Sequence, residues 1–167
     1  MILSVILLLI SGCGYTLVGQ GNLPDHIKTI AIPIFVNKTP EEGVEEIITQ
    51  EVIEQFVKGG KVRLVSEGNA DALLKGTITA YKADDVASYD ENNEVASYKL
   101  KITVDIELKD LINEETLWQT QGLVEDQDFD GGPSVNITQE TENEEEALRY
   151  LAEELAQRIR TLSTEGF

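Results

Sequence analysis

The chain has 167 residues, 41% hydrophobic and 26% charged, ordinary proportions for a folded protein and enough to bury one core. Its 31 acidic and 13 basic residues leave a net charge of −18, which repels polyphosphate backbones and excludes nucleic acid as a partner. The single cysteine, Cys13, cannot close an internal disulfide.

The opening run, Met1 to Ile10 (MILSVILLLI), is apolar except for Ser4. A bilayer-crossing helix takes about 20 residues, so the run is too short to span. It has the length of the apolar region of a signal peptide, and Ser11 and Gly12 supply a small-residue cleavage site. No Lys or Arg precedes Lys28, so the usual basic opening is missing and the sequence reads as starting inside its signal. Ile10-Ser11-Gly12-Cys13 is similar to the lipobox of bacterial lipoproteins, in which the thiol takes a diacylglycerol after cleavage. A lone cysteine is otherwise read as a buried thiol, but a processing signal ahead of it favours lipidation. The expected organisation is a signal peptide over 1–12, a lipidated Cys13 opening a tether over 13–26, and a single domain over 27–167. Gly14 stands where a retention signal commonly has Asp. By the same resemblance the protein is placed at the outer membrane, lipid-anchored on its periplasmic side. A diacylglycerol plus an amide-linked palmitate holds stably where one chain would not.

Ile27 to Phe35 reads as a strand, and Pro33, which cannot donate to a ladder, puts it at an edge or in a bulge. Thr39-Pro40-Glu41-Glu42 has the form of a helix start, with Thr39 as cap and Pro40 in the first turn. Val44, Ile47, Ile48, Val52 and Phe56 then repeat at helical spacing until Gly59-Gly60 stops them. Lys61 to Val65 is a short strand. Leu74, Gly76, Ile78 and Ala80 alternate with polar neighbours, as do Leu100, Ile102, Val104, Ile106 and Leu108. The polar Tyr89 to Glu94 segment between them makes a long hairpin. A turn at Asp110 to Glu115 leads to another strand, Thr116 to Val124, containing the only tryptophan, Trp118. Residues 126–143 read as an acidic loop, Thr141 to Glu144 as a second capping box, and Leu148, Leu151, Leu155, Ile159 and Leu162 as a helical stripe. The predicted fold is α+β, a two-layer sandwich: a mostly antiparallel sheet of about four long strands with two helices packed on one face.

Few constellations carry chemistry. Asp126-Gln127-Asp128-Phe129-Asp130-Gly131 matches the first half of a calcium loop, but the twelfth position is Ile137 instead of Glu. The only histidine, His26, has Asp25 beside it and no nucleophile to activate. Carboxylate pairs such as Asp84-Asp85 are inevitable in so acidic a chain. No phosphate-binding glycine motif occurs, so neither an enzyme nor a cofactor or metal requirement is expected. Lys75, Lys99, Lys101 and Lys109 lie on polar strand faces, as an anion site or as plain edge protection.

Several stretches form an ordered set: C-G-Y at 13–15, I-K-T-I-A-I-P-I-F-V-N-K-T at 27–39, A-D-A-L-L-K-G-T-I at 70–78, S-Y-D at 88–90, Y-K-L-K-I-T-V at 98–104 and L-W at 117–118. Together they resemble the lipopolysaccharide-assembly lipoprotein family, LptE, over essentially the whole mature chain. The resemblance implies a sheet of about four strands with two helices on one face. It also implies a non-catalytic role: plugging the LptD outer-membrane β-barrel, assisting its assembly and supporting lipopolysaccharide transport to the cell surface. Lipopolysaccharide itself is a further possible ligand in the family, through side chains near the central hairpin. Carried over, the contact candidates for partner or lipid are Tyr89, Asp90, Asn92, Lys99 and Lys101. The hairpin tip is acidic, the wrong sign for phosphate. The rival reading is a periplasmic ligand- or ion-binding lipoprotein tethered to the membrane.

Overall fold

The computed structural model describes residues 23–165; Cys13 and the expected signal peptide lie outside them. In chain order come strands β1 (Thr29–Ala31) and β2 (Val36–Asn37), helix α1 (Val44–Gly59), strand β3 (Arg63–Leu64), the long strands β4 (Ala72–Tyr89), β5 (Val95–Asp110) and β6 (Glu115–Asp130), and helix α2 (Ile137–Glu165). The six-stranded sheet runs β3-β1-β4-β5-β6, with β2 also pairing β4. β4, β5 and β6 form an antiparallel meander, whereas β1 and β2 join β4 in parallel and β1 also pairs β3 in parallel. The α+β class is the expected one, with three long strands and three short ones in place of about four long strands.

Burial follows the predicted periodicities. On β5, Leu100, Ile102, Val104, Ile106 and Leu108 are almost fully buried, while the residues between them are half-exposed. Val44, Ile48, Val52 and Phe56 of α1 and Leu148, Leu151, Leu155 and Ile159 of α2 join the same core cluster. Each such side chain contributes about 1.5–3 kcal/mol by leaving water. Helix α2 has 29 residues, about 44 Å at 1.5 Å each. That is long enough to run along most of β6, which is why one helix covers the end of the meander.

Four boundaries differ from expectation. The first predicted strand is cut short at Ala31, ahead of Pro33, and a separate strand, β2, follows at Val36–Asn37. Phe35 then turns inward, its N–H donating to Thr49 Oγ1 at 2.9 Å and its ring filling the space where a Gly76 side chain would stand. Helix α1 starts at Val44, not at Pro40. The Thr39 hydroxyl donates to Asn37 Oδ1 at 2.8 Å, and Asn37 Nδ2 donates to Glu41 O at 2.6 Å and Glu45 Oε2 at 2.8 Å. This network holds Thr39 to Glu42 as a loop. Asp126 to Asp130 is the end of β6 and not a loop, because D-Q-D-F-D alternates and pairs with Ser97 to Lys101. Finally, α2 starts one turn before Thr141, capped by Asn136 Oδ1, which accepts the Gln139 N–H at 3.0 Å. The Thr141 hydroxyl instead donates to Ile137 O within the helix.

Candidate functional site

With both helices on one side, the other face of β4-β5-β6 is polar and, among the described residues, uncovered. Alternation sets this directly: each apolar residue of β5 that enters the core sends its neighbour outward. Lys99, Lys101, Thr103, Asp105, Glu107 and Lys109 therefore line the outer side of β5.

Both predicted contact lysines are engaged there. Lys99 Nζ lies 2.6 Å from Asp126 Oδ2 and 3.0 Å from Asp128 Oδ1, and hydrogen bonds to first Asp126 and then Asp128 hold its ammonium above the usual lysine range. Lys101 Nζ lies 3.4 Å from Asp85 Oδ2 across the β4–β5 pair. These pairs are half-exposed, so they add little stability, but they neutralise the cations where an anion would bind. The same geometry removes the calcium reading. Asp126 and Asp128 stand two residues apart on one strand face with a lysine between them, and a calcium loop needs a tight turn. Among the described residues no His/Cys/Asp/Glu group is placed to hold a metal.

The β4–β5 tip brings Tyr89, Asp90 and Asn92 together with different roles. Asp90 Oδ1 accepts the Asn92 and Glu94 N–H groups, both at 2.9 Å. Asn92 Nδ2 donates to Asp90 Oδ2 at 3.3 Å, and the Asp90 N–H donates to Glu94 O at 2.8 Å. The Glu94 N–H leads the contacts that hold the Asp90 carboxyl below its usual range. Asp90 is thus the organiser of the turn. Tyr89 is 62% exposed and its side chain is open to a partner.

Three further polar junctions escaped sequence reasoning. Asp110, 1% exposed, sits where the incoming chain meets the β5–β6 turn. Burial would raise its pKa, but the Asn113 N–H, His26, the Ile112 N–H and the Asn113 amide outweigh burial and hold it at about 2. His26 Nε2 is 2.6 Å from Asp110 Oδ2. Nothing local marks His26 and Asp110 as partners, since 84 positions separate them. On the helix side, Tyr81 Oη donates to Glu144 Oε1 at 2.6 Å, and Arg158 Nη1 lies 3.0 Å from Glu125 Oε2. A groove of about 520 Å³ between α1 and α2 is lined by Glu51, Glu142, Glu145, Glu146, Arg149, Tyr150 and Glu153. Burial, then the charges of Glu54 and Glu153, raise the pKa of Glu51.

These elements define a two-layer α+β domain with one sheet face covered by helices and the other presenting paired charges. The lipopolysaccharide-assembly family, LptE, matches residues 27–162, and the chain belongs to that family. Among curated proteins none matches the chain's sequence. A minor lipoprotein from Acinetobacter baumannii has a similar fold: 15% identity, TM-score 0.55, covering 82% of this chain and 91% of its own. The rare lipoprotein B from Shewanella oneidensis is also similar, with 14% identity and a TM-score of 0.52 over 80% of this chain and 92% of its own. So is PelC from Paraburkholderia phytofirmans, a dodecamer in its crystals, with 14% identity and a TM-score of 0.53 over 86% and 94%. At these identities the likeness is one of fold alone. Among the described residues no helix is long and apolar enough to cross a membrane.

Proposed function

We propose that this protein is an outer-membrane lipoprotein, anchored through acylated Cys13, that occupies the lumen of an LptD-type β-barrel and assists its assembly for lipopolysaccharide transport. The observation that carries the reading is the LptE match over residues 27–162. Physical chemistry supports it. A barrel lumen is polar and wet, so its occupant needs a rigid core and a surface that stays hydrated on all sides. The polar outer face, with Lys99 and Lys101 held against Asp126, Asp128 and Asp85, meets that need. In this reading Tyr89 is the leading contact at the tip, Asp90 and Asn92 shape the turn that presents it, and the two lysines fix the sheet face. Residues 13–26 lead from the anchor into the domain, where the last of them, His26, is held on Asp110.

Co-purification tests the reading. The tagged, acylated protein from detergent-solubilised outer membranes is expected to bring down a large β-barrel in stoichiometric amount. Recovery of the lipoprotein alone from membranes that contain the barrel would sink the proposal.

A further inference from the structure

The two turns of the β4-β5-β6 meander lie at opposite ends of β5 and differ in character. The β4–β5 tip, Asp90 to Asn93, is polar throughout. The β5–β6 turn, Leu111 to Glu114, opens on two apolar residues, with Leu111 37% and Ile112 55% exposed. Neither side chain shapes the turn. Asp110 Oδ1 accepts the Ile112 and Asn113 N–H groups at 2.8 and 3.0 Å, the Leu111 N–H donates to Asp71 O at 2.8 Å, and Glu114 takes the left-handed position with φ 57°. Turn positions ordinarily go to Gly, Pro, Asn, Asp or Ser. An adjacent Leu-Ile pair held outward by a hydrogen-bonded frame is therefore a surface feature that the fold itself does not need. The chain arriving from Cys13 is fixed to this same turn. Leu23 packs on the core, the Ile27 N–H donates to Pro24 O at 2.9 Å, and His26 Nε2 lies 2.6 Å from Asp110 Oδ2 and 3.2 Å from Asn113 Nδ2.

We infer that Leu111 and Ile112 form a membrane-contact wedge, which dips into the interface of the lipid leaflet that holds acylated Cys13. The inference rests on the anchor reading and adds a second contact to it. Leu23 follows Cys13 by ten positions, and a fully extended chain of that length reaches at most ~35 Å. Because the chain joins the domain beside the β5–β6 turn, this is the end of the meander that the anchor keeps near the leaflet. Two apolar side chains alone hold a lipid surface only transiently. A short connection to the anchor makes their contact intramolecular, at an effective concentration of roughly millimolar, and two weak signals together anchor where one does not. Neutral headgroups suit the contact better than anionic ones. Asp25, Glu114 and Glu115 stand exposed near the turn against Lys28, and the chain carries −18, so an anionic surface repels it. β5 has 16 residues and spans ~53 Å, so seating this turn in the leaflet leaves the polar Asp90 to Asn93 tip well clear of it.

Spin labelling of the full acylated chain in phosphatidylcholine nanodiscs tests this, with a nitroxide on Ile112→Cys and a control nitroxide on Glu91→Cys at the opposite tip. Acylation occupies the native thiol, and intact mass verifies it before labelling. Insertion of ~5–10 Å exposes a label to oxygen dissolved in lipid and shields it from a water-soluble nickel chelate. The oxygen-to-nickel collision ratio at position 112 is expected to exceed that at position 91 about threefold. Leu111→Asp in the chain labelled at 112 should bring the ratio down to the control value. It leaves the turn intact, because Leu111 contributes only its backbone to the frame. A ratio that stays high in this variant means that the label drives its own insertion, and overturns the inference. An acylated chain with equal ratios at 112 and 91 overturns the wedge alone, whereas a chain without the acyl mass overturns the anchor reading and the wedge with it. Immobilisation of the 112 label only when a barrel is co-reconstituted assigns the turn to that protein, and also overturns the inference.

Discussion

Tyr81 Oη donates a 2.6 Å hydrogen bond to Glu144 Oε1, tying the middle of β4 to the second turn of α2 across the helix-covered face. Burial first, then the bond to Glu144 and the charges of Glu144 and Glu41, push the Tyr81 hydroxyl above the ordinary tyrosine range. A pKa raised on folding means that the bond's contribution is complete below about pH 10 and is lost as pH rises through the folded value. Tyr81→Phe should cost about 1 kcal/mol at neutral pH, read by urea unfolding.

Asp110 runs the other way. Its carboxyl titrates at about 2 in the fold against an ordinary value near 3.9. The depressed folded value contributes stability that is complete above about pH 4 and lost as pH falls to about 2, roughly 2 kcal/mol in all. Asp110→Asn should flatten the stability profile in that window and lower stability at neutral pH. If thermal unfolding of wild type and variant shifts in parallel between about pH 5 and 2, the junction does not act as described.

Phe35 and Gly76 make a steric prediction. A Cβ on Gly76 would fall within the Phe35 ring, so Gly76→Ala should destabilise by about 1–3 kcal/mol through overpacking. Shrinking the ring with Phe35→Leu in the Gly76→Ala background should return part of that loss. A double-mutant cycle in chemical denaturation measures the coupling.

At the hairpin tip, Asp90→Ala removes the acceptor for the Asn92 and Glu94 N–H groups. The melting temperature should fall modestly and recovery of a barrel partner should drop, with affinity for lipopolysaccharide unchanged. An unaltered barrel pull-down with weakened lipid binding would reverse the assignment. Tyr89→Ala should weaken the same pull-down without the thermal shift, because Tyr89 is exposed and makes no side-chain bond that shapes the turn.

For the anchor, intact-mass spectrometry of the membrane-extracted protein should find the chain beginning at acylated Cys13. Cys13→Ser should leave the signal uncleaved and the acyl mass absent.

The sequence by itself determined the elements whose periodic signal is carried by apolar side chains. The two core-facing stripes of the helices, the alternation of β5 and the turn at Tyr89 to Glu94 all follow from where apolar side chains must go. The order of elements then leaves few choices beyond a helix-covered sheet. The resemblance carried by the ordered motifs pointed to the same family that the match over residues 27–162 establishes.

Tertiary structure decided what depends on partners far along the chain. Alternation in D-Q-D-F-D was present, but an acidic segment reads as a solvated loop until a neighbouring strand supplies Lys99 to neutralise it. Thr39 looked like a helix cap because its chemistry suits one, and only the Asn37 network shows that its hydroxyl is already used. Lys99 and Lys101, which the sequence leaves open as an anion site or as edge protection, are paired with Asp126 and Asp128 and with Asp85. Local composition encodes which residues enter the core, because burial is set by each side chain's own cost in water. Which polar group meets which is set by the register of strands and the path of α2, and those are properties of the fold as a whole.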